Sequence, residues 1–341
     1  MHRSEITIDL GALRRNVRTL LRALDGTGLW AVVKADAYGH GMVDAAGAAL
    51  GSGASALCVA TIPEGLALRL EYRTERIIVL GPAGSNREVA QARQAGLELV
   101  IADGEIPEGV RVHLKLDTGM GRYGLSELPE PPAAEVVGLM THLATADSDL
   151  GFARAQIERF RAATDEYSEL TRHVANSAAA LRLPESHFDA ARCGVAMYGL
   201  SPFNTDPVED GLEPVLSWQT ALAQVKLLQP GQGTGYGRRF VAERPTWIGI
   251  VPVGYGDGFR RDLTGTDVRV AGEPRRVVGT VSMDSFAVEL DRELPPGTPV
   301  VLVGHGVLAE AHARIAQTIN YELTCGIESG PLRARRTVVD A

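Results

Sequence analysis

No uninterrupted apolar run in this 341-residue chain reaches the ~20 residues that a membrane-spanning helix needs. The opening stretch, MHRSEITIDLGALRRN, lacks the apolar core of a secretory signal. Cysteine is scarce: Cys58, Cys193 and Cys325 are odd in number and widely spaced, which excludes a disulfide framework or a cysteine metal cluster and suits a reducing compartment. His305 and His312, seven residues apart, read as loop and helix surface and not as a metal pair. Charge of neither sign dominates, with 34 Lys and Arg mixed among 42 Asp and Glu for a net charge of -8. That balance argues against nucleic acid or an anionic membrane surface as partner. Internal repeats and low-complexity linkers are missing too; the 18 prolines and 38 glycines are scattered as punctuation. The expectation is a soluble, cytoplasmic protein.

What is present is a long alternation of strands and helices. Between about residues 29 and 200, eight apolar runs recur: LWAVVKA (29–35), ALCVA (56–60), RIIVLG (76–81), LELVIAD (97–103), RVHLKLD (111–117), VVGLMTHL (136–143), RHVAN (172–176) and ARCGVAMYG (191–199). They are apolar on both faces, as strands of a covered parallel sheet are. IPEGLALRLEY and FARAQIERFRAATDEY between them read as amphipathic helices. Eight such units predict a (β/α)₈ barrel. The runner-up, an open doubly wound sheet, lacks a glycine-rich turn after its first strand. Only GEIPEGV separates the fourth run from the fifth, too little for a crossover helix, so one outer helix is predicted to be missing or vestigial.

After residue 200 the texture changes. SPFNTDPVEDGLEP is a turn-rich joint, followed by short alternating strands with Gly and Pro between them, which predicts a mainly antiparallel β domain with one late helix at 311–320. The predicted division is a barrel over residues 1–210, with residues 1–10 a candidate strand of the second domain, and a β domain over 211–341.

Several residues carry candidate chemistry. Lys34 ends an apolar strand in AVVKADAYGHG, on the face where barrels place active sites. A desolvated lysine there becomes a nucleophile suited to a Schiff base, although position alone fits a snorkelling lysine equally well. VHLKLDTGMGRYG places Lys115, Asp117 and Arg122 at a strand end and in a glycine-rich loop; Lys115 and Asp117 also read as a structural ion pair. HVANSAA gives His173, Asn176 and Ser177 at a strand-to-helix turn, where Asn-Ser caps the helix and free N–H groups suit phosphate. RCGVAMYG repeats the pattern with Gly194 and Val195; Arg192 before them reads on its own as a surface charge. VPVGYGDG sets Tyr255 in a turn bounded by Gly254 and Gly256, which alone would be a tyrosine corner.

Taken together these segments resemble the alanine racemases. AVVKADAYGHG is similar to that family's cofactor-lysine motif, and ITIDLGALRRN, VHLKLDTGMGRYG, THLATAD, HVANSAA, RCGVAMYGL, VPVGYGDGF and VGTVSMD follow in the family's order over nearly the whole chain. The resemblance implies pyridoxal 5′-phosphate (PLP) held covalently by Lys34, with Tyr38, Ser177, Gly194 and Val195 at its phosphate and His142 and Asn176 nearby. It implies Arg122 at the cofactor's phenolic oxygen and the substrate carboxylate, with Lys115, carbamylated in some members, and His173 supporting. It places Arg192 at the pyridine nitrogen, where an arginine, unable to accept a proton, keeps the ring unprotonated. It implies a homodimer in which Tyr255 of a second copy is the base opposite Lys34 and leads through His142 to Arg192, with Met283 and Asp284 at the substrate end. The implied activity is interconversion of L- and D-alanine for peptidoglycan. A racemase of another small amino acid such as serine, a related barrel enzyme such as a D-amino-acid aldolase or a decarboxylase, and a non-catalytic PLP-binding protein are the alternatives; the attached β domain speaks against the last. Two departures stand out. Gly256 replaces the usual alanine, and Ser329 or Gly330 falls where many members carry a phosphate-contacting tyrosine, with Tyr321 a candidate substitute.

Overall fold

The computed structural model describes residues 3–129, 135–304 and 306–341; His305 lies outside them. Contacts divide the chain into two compact units. One comprises Leu13–Met197 with Asp210–Leu212; the other comprises the residues through Ala12, Tyr198–Glu209 and Glu213–Ala341.

In chain order, β1 (Ser4–Asp9) and helix α1 (Leu10–Leu24) come first. The larger unit then closes a barrel of eight parallel strands: β2 (Gly28–Val32), β3 (Ala56–Val59), β4 (Ile77–Val79), β5 (Glu98–Ile101), β6 (Val112–Lys115), β7 (Val136–Met140), β8 (Thr171–His173) and β9 (Ala190–Cys193). Each of the eight apolar runs supplies one strand. The seam is β2 on β9, with Trp30 opposite Arg192. Strand side chains alternate: Trp30, Val32, Ala56, Cys58, Ile78, Val100, Met140 and Ala190 fill the barrel, while Leu29 and Ala31 are equally buried under the helices. Double burial explains why the runs show no period-two pattern.

The outer helices start where the sequence caps them. After the short α2 (Lys34–Gly39) and α3 (Met42–Leu50), α4 (Ile62–Glu71) opens on a reciprocal Thr61–Glu64 capping box. Ser85 caps α5 (Asn86–Gln94), Asp149 caps α6 (Leu150–Thr164) and Asn176 caps α7 (Ser177–Arg182). No helix joins β5 to β6, so the short GEIPEGV connection crosses without one.

In the second unit β1 pairs antiparallel with β10 (Leu216–Ala221) and in parallel with β19 (Ala334–Val339). β11 (Gln224–Leu228), β14 (Thr246–Val251), β15 (Asp267–Val270), β16 (Glu273–Val278), β17 (Phe286–Leu290) and β18 (Pro299–Val303) complete a nine-stranded sheet in the order β11-β14-β17-β16-β15-β18-β10-β1-β19. A separate two-strand ribbon joins β12 (Gly233–Thr234) to β13 (Phe240–Val241). Phe259 stacks on Phe286 at 4.3 Å in its core. The single late helix expected at 311–320 is two helices, α8 (Ala309–Ala316) and α9 (Asn320–Cys325). Gln317, at φ 52, stops the first in a left-handed cap. His312, expected on a helix surface, is buried and bonds Thr266 Oγ1 at 2.6 Å and the Leu302 carbonyl at 2.7 Å.

Candidate active site

At the carboxyl end of β2 the chain makes an unusual turn. Lys34, half-buried, is followed by Ala35, Asp36, Ala37 and Tyr38 with φ of 51, 50, 55 and 57°. Four consecutive L-residues in the left-handed region cost roughly 1–2 kcal/mol each, so neighbours must hold them. Ala37 N–H donates to the Val33 carbonyl at 2.9 Å and Met42 N–H to Asp36 Oδ1 at 2.7 Å. Glu64 braces the turn from α4: Oε1 accepts from Ala35 N–H at 2.8 Å, and Oε2 from Ala60 N–H at 2.8 Å and Thr61 N–H at 3.1 Å. His40, buried, sets its Nδ1 3.0 Å from the carbonyls of both Ala37 and Tyr38. The turn thereby fixes Lys34 at the strand end.

The turn sends Tyr38 across to the end of β9. A β-carbon on Gly194 would lie 2.6 Å from the Tyr38 hydroxyl, so the absent side chain makes room for the phenol. Gly194 N–H donates to Ser177 Oγ at 3.0 Å, and Ala196 N–H lies 3.4 Å from the same oxygen. Ser177 therefore accepts from the chain and keeps its own hydrogen to donate. Asn176 acts as cap, its Oδ1 accepting from Ala179 N–H at 3.0 Å. Val195 opens a short 3₁₀ turn, where amides lack an intrahelical partner.

Arg192, on β9, is only 3% exposed and not the surface charge its local sequence suggests. Its Nη1 donates to the His173 carbonyl at 2.7 Å and to His173 Nδ1 at 2.8 Å. Its Nη2 donates to Thr141 O at 2.8 Å, Val174 O at 3.2 Å and His142 Nδ1 at 3.2 Å. Nε has no hydrogen-bond partner among the described residues. Burial lowers this arginine to about 10, which still leaves it charged at neutral pH. His142 is held well below 6.5 by loss of water and then by the charges of Arg192 and Lys34. His173, fully buried, is lowered in the same way by burial and Arg192.

Lys115 ends β6, 6% exposed. Burial, then Arg122 and Arg192, brings it down to about 8. The anticipated ion pair with Asp117 does not form among the described residues. Asp117 instead organises the glycine loop: its Oδ1 accepts from Gly119 N–H at 3.0 Å and Met120 N–H at 2.8 Å, and its Oδ2 from Gly121 N–H at 3.0 Å. Arg122, in that loop, is exposed.

The β unit holds its candidates differently. Tyr255 N–H bonds the Ser282 carbonyl at 3.0 Å and Gly256 N–H the Met283 carbonyl at 2.9 Å, which ties two loops together by their backbones. Gly254 must be glycine, because a β-carbon there would meet Ser282 O at 2.2 Å. The side chains point outward: Tyr255 is 43% and Met283 51% exposed. Asp284 bonds Arg333 Nη1 at 2.7 Å and Arg3 Nη1 at 3.1 Å. Asp257, 1% exposed, accepts from Gly254 N–H at 2.9 Å and lies 3.4 Å from Arg333. Arg3, Asp257 and Arg333 were not singled out from sequence; the aspartate two residues after Tyr255, in VGYGDG, was the available signal. Ser329 and Gly330 sit in a turn closed by Gly330 N–H on Glu328 Oε1 at 2.7 Å.

The barrel thus gathers Lys34, Tyr38, His142, Ser177, Arg192 and Gly194, while Tyr255, Met283 and Asp284 lie in the other unit. Residues 8–202 match the family model "Alanine racemase, N-terminal domain", and residues 215–336 match "Alanine racemase, C-terminal domain". The chain belongs to the alanine racemase family. Alanine racemase 1 of Bacillus subtilis is 40% identical over 94% of this chain and 90% of its own length. The alanine racemase of Listeria innocua is 38% identical over 94% of both. Among solved structures, the biosynthetic alanine racemase of Pseudomonas aeruginosa superposes with a TM-score of 0.91 at 33% identity, covering 99% of this chain and all of that one. That of E. faecalis gives 0.89 at 35% identity, covering 99% of this chain and 98% of that one. As a member of the alanine racemase family, with both family domains in order, the chain is an amino-acid racemase and so an isomerase.

Proposed function

We propose that this racemase interconverts L- and D-alanine with PLP as cofactor, using Lys34 and Tyr255 of a partner subunit as the two bases. The observation that carries the reading is Arg192: a buried guanidinium, clamped by three backbone carbonyls and two imidazoles, with Nε left over to face a ligand. The residues present fit PLP. The notch between Tyr38, Ser177 and Gly194 offers two hydroxyl donors beside the Val195 amide, which suits a phosphate. Lys34 supplies the amine for covalent attachment.

PLP, when bound, supplies the electron sink for the charge left at the α-carbon. Arg192 would be the residue at the ring nitrogen and, having no proton-accepting atom, would leave that nitrogen unprotonated. An arginine in that place would favour return of the proton to the α-carbon over side reactions. Lys34 handles the proton on the face of the D-enantiomer and Tyr255 of the partner subunit on the face of the L-enantiomer. Arg122 and the Met283 backbone receive the substrate carboxylate. Lys115, near 8, is partly the free amine at neutral pH and so open to carbamylation, which would turn a cation repelled by Arg122 into an anion that holds it.

The exposure of the Tyr255 and Met283 side chains supports a homodimer in which a neighbouring subunit uses them. We assign residues 1–210 to the cofactor domain, with residues 1–10 as a strand that joins the other domain, and 211–341 to the domain that serves the neighbouring subunit. D-alanine for peptidoglycan is the role this activity fits, in the cytoplasm, where cysteines that form no disulfide are at home. The test is Tyr255→Phe in deuterated water. The variant should keep PLP bound and stop exchanging the α-hydrogen of L-alanine; undiminished racemisation from the L-side would overturn the two-base assignment. A parallel series with L-serine and a bulkier amino acid fixes the substrate class.

A further inference from the structure

Below Arg192 the barrel interior carries a chain of polar groups that the reaction does not touch. His173 Nε2 lies 2.9 Å from His113 Nδ1, and His113 Nε2 lies 2.8 Å from Glu98 Oε2. With the 2.8 Å contact from Arg192 Nη1 to His173 Nδ1, four side chains on β9, β8, β6 and β5 form one continuous line. All four are buried: both histidines are 0% exposed and Glu98 1%. Trp30 packs its ring 4.5 Å from His173 and 5.7 Å from His113, so apolar walls enclose the line. Its far end opens on a cleft of about 470 Å³, where Arg76 Nε at 2.7 Å and Arg111 Nη2 at 3.3 Å pair with Glu98.

The two ends fix every hydrogen between them. Arginine only donates and a carboxylate only accepts. Arg192 must donate to His173 Nδ1, so the His173 hydrogen sits on Nε2 and is given to His113 Nδ1. The His113 hydrogen then sits on Nε2 and is given to Glu98. Arg76 Nη2, 3.5 Å from His113 Nε2, is at the limit of bonding and does not compete with the 2.8 Å carboxylate. Both rings are then neutral, in agreement with burial lowering each of them. The opposite tautomer of His173 would aim an N–H at the guanidinium and push it out of place.

We propose that Glu98 is a positioning residue for racemisation, which acts through His113 and His173 to hold Arg192 in one orientation as a fixed donor. The inference rests on Arg192 facing the cofactor ring nitrogen. A carboxylate at the foot of the barrel can only accept and so rules out the reversed run of hydrogens; a group there that can also donate lets that run compete, with an N–H on His173 Nδ1 turned against Arg192.

The test uses the holoenzyme with ¹⁵N-labelled histidine and NMR correlations that report which ring nitrogen carries hydrogen. His113 and His173 should each show a single neutral form, hydrogen on Nε2, across the range of about pH 5–8 in which free histidines titrate. Glu98→Gln can donate or accept at the same place, so His173 should become a tautomer mixture. kcat should fall about ten-fold, the lower end of what losing an outer partner costs an oriented group, with KM for alanine little changed. Glu98→Asp, which keeps the charge, should recover much of the single tautomer and of kcat. Hydrogen on Nδ1 of either ring in the unaltered enzyme, or Glu98→Gln with both tautomer and kcat unchanged, overturns the proposal. If Glu98→Gln fails to fold, the spectrum of the unaltered enzyme still decides. Failure of the two-base reading would appear with Tyr255→Phe and leave these nitrogen spectra as they are.

Discussion

Arg192 and Tyr255 sit in opposite surroundings. Arg192 is 3% exposed and makes five hydrogen bonds inside its own barrel. Tyr255 is 43% exposed, and among the described residues only its backbone is hydrogen-bonded. The barrel builds its groups into the same bonds that hold it folded. The β unit braces a pair of loops and leaves the Tyr255 and Met283 side chains exposed. Stability and chemistry should therefore be inseparable in the first unit and separable in the second.

The strongest way to break this contrast is to mix two inactive variants. Lys34→Ala and Tyr255→Phe should each lose nearly all racemisation. Equal amounts, exchanged into mixed dimers, should regain about a quarter of the native sites, because each heterodimer keeps one intact pair. No recovery would mean that both bases come from one chain. Next, Tyr255→Phe should slow the L-side reaction by about 100-fold or more, while its unfolding free energy from denaturant titration changes by no more than about 0.5 kcal/mol. Arg192→Leu should lose activity and also stability, by roughly 1–3 kcal/mol for each buried carbonyl it leaves unpaired. Equal stability of the two variants would erase the contrast. Gly194→Ala, whose β-carbon would meet the Tyr38 hydroxyl at 2.6 Å, should cost about 1–3 kcal/mol and weaken PLP binding in a spectrophotometric titration.

A pH series sharpens the contrast further. His113, His142 and His173 all belong to the barrel unit, and burial lowers each below 6.5. The unfolded chain then binds more protons than the folded one as pH falls below 6.5. Their contribution is complete above that value and is lost on acidification, so the unfolding midpoint should drop as pH falls below about 6.5. A midpoint flat through that range would refute neutral buried rings. The smallest effect is expected from Gly256→Ala. Its β-carbon would sit 3.1 Å from Met283 O and 3.2 Å from Arg333 Nη2, so neighbours shift by tenths of an ångström and KM changes modestly.

The barrel was legible because eight doubly buried strands leave eight apolar runs, and because GEIPEGV is too short to hide a helix. Lys34 was legible from its place at a strand end together with the family resemblance. The left-handed turn was not: ADAY contains no glycine, and propensity gives no reason for four positive φ angles that Glu64, His40 and Asp36 help to sustain. Glu98 and His113 were hidden inside apolar runs, where one polar letter reads as noise until the closed barrel brings strands far apart in sequence onto one axis. Arg3 and Arg333 escaped for a related reason, since 281 and 49 residues separate them from Asp284. His312 was misread because a helix period alone does not say which face the sheet will cover.

The turn from Ala35 to Tyr38 also bears on how the molecule matures. Its backbone gains nothing from local preference, so it closes only once α4 has brought Glu64 against it and β9 has set Gly194 beneath Tyr38. During refolding, strands and helices should regain their circular-dichroism signal before the chain can capture the proposed PLP. If the proposed PLP is the cofactor, the yellow colour of the bound form would be a clock for the final clasp and not for collapse of the barrel.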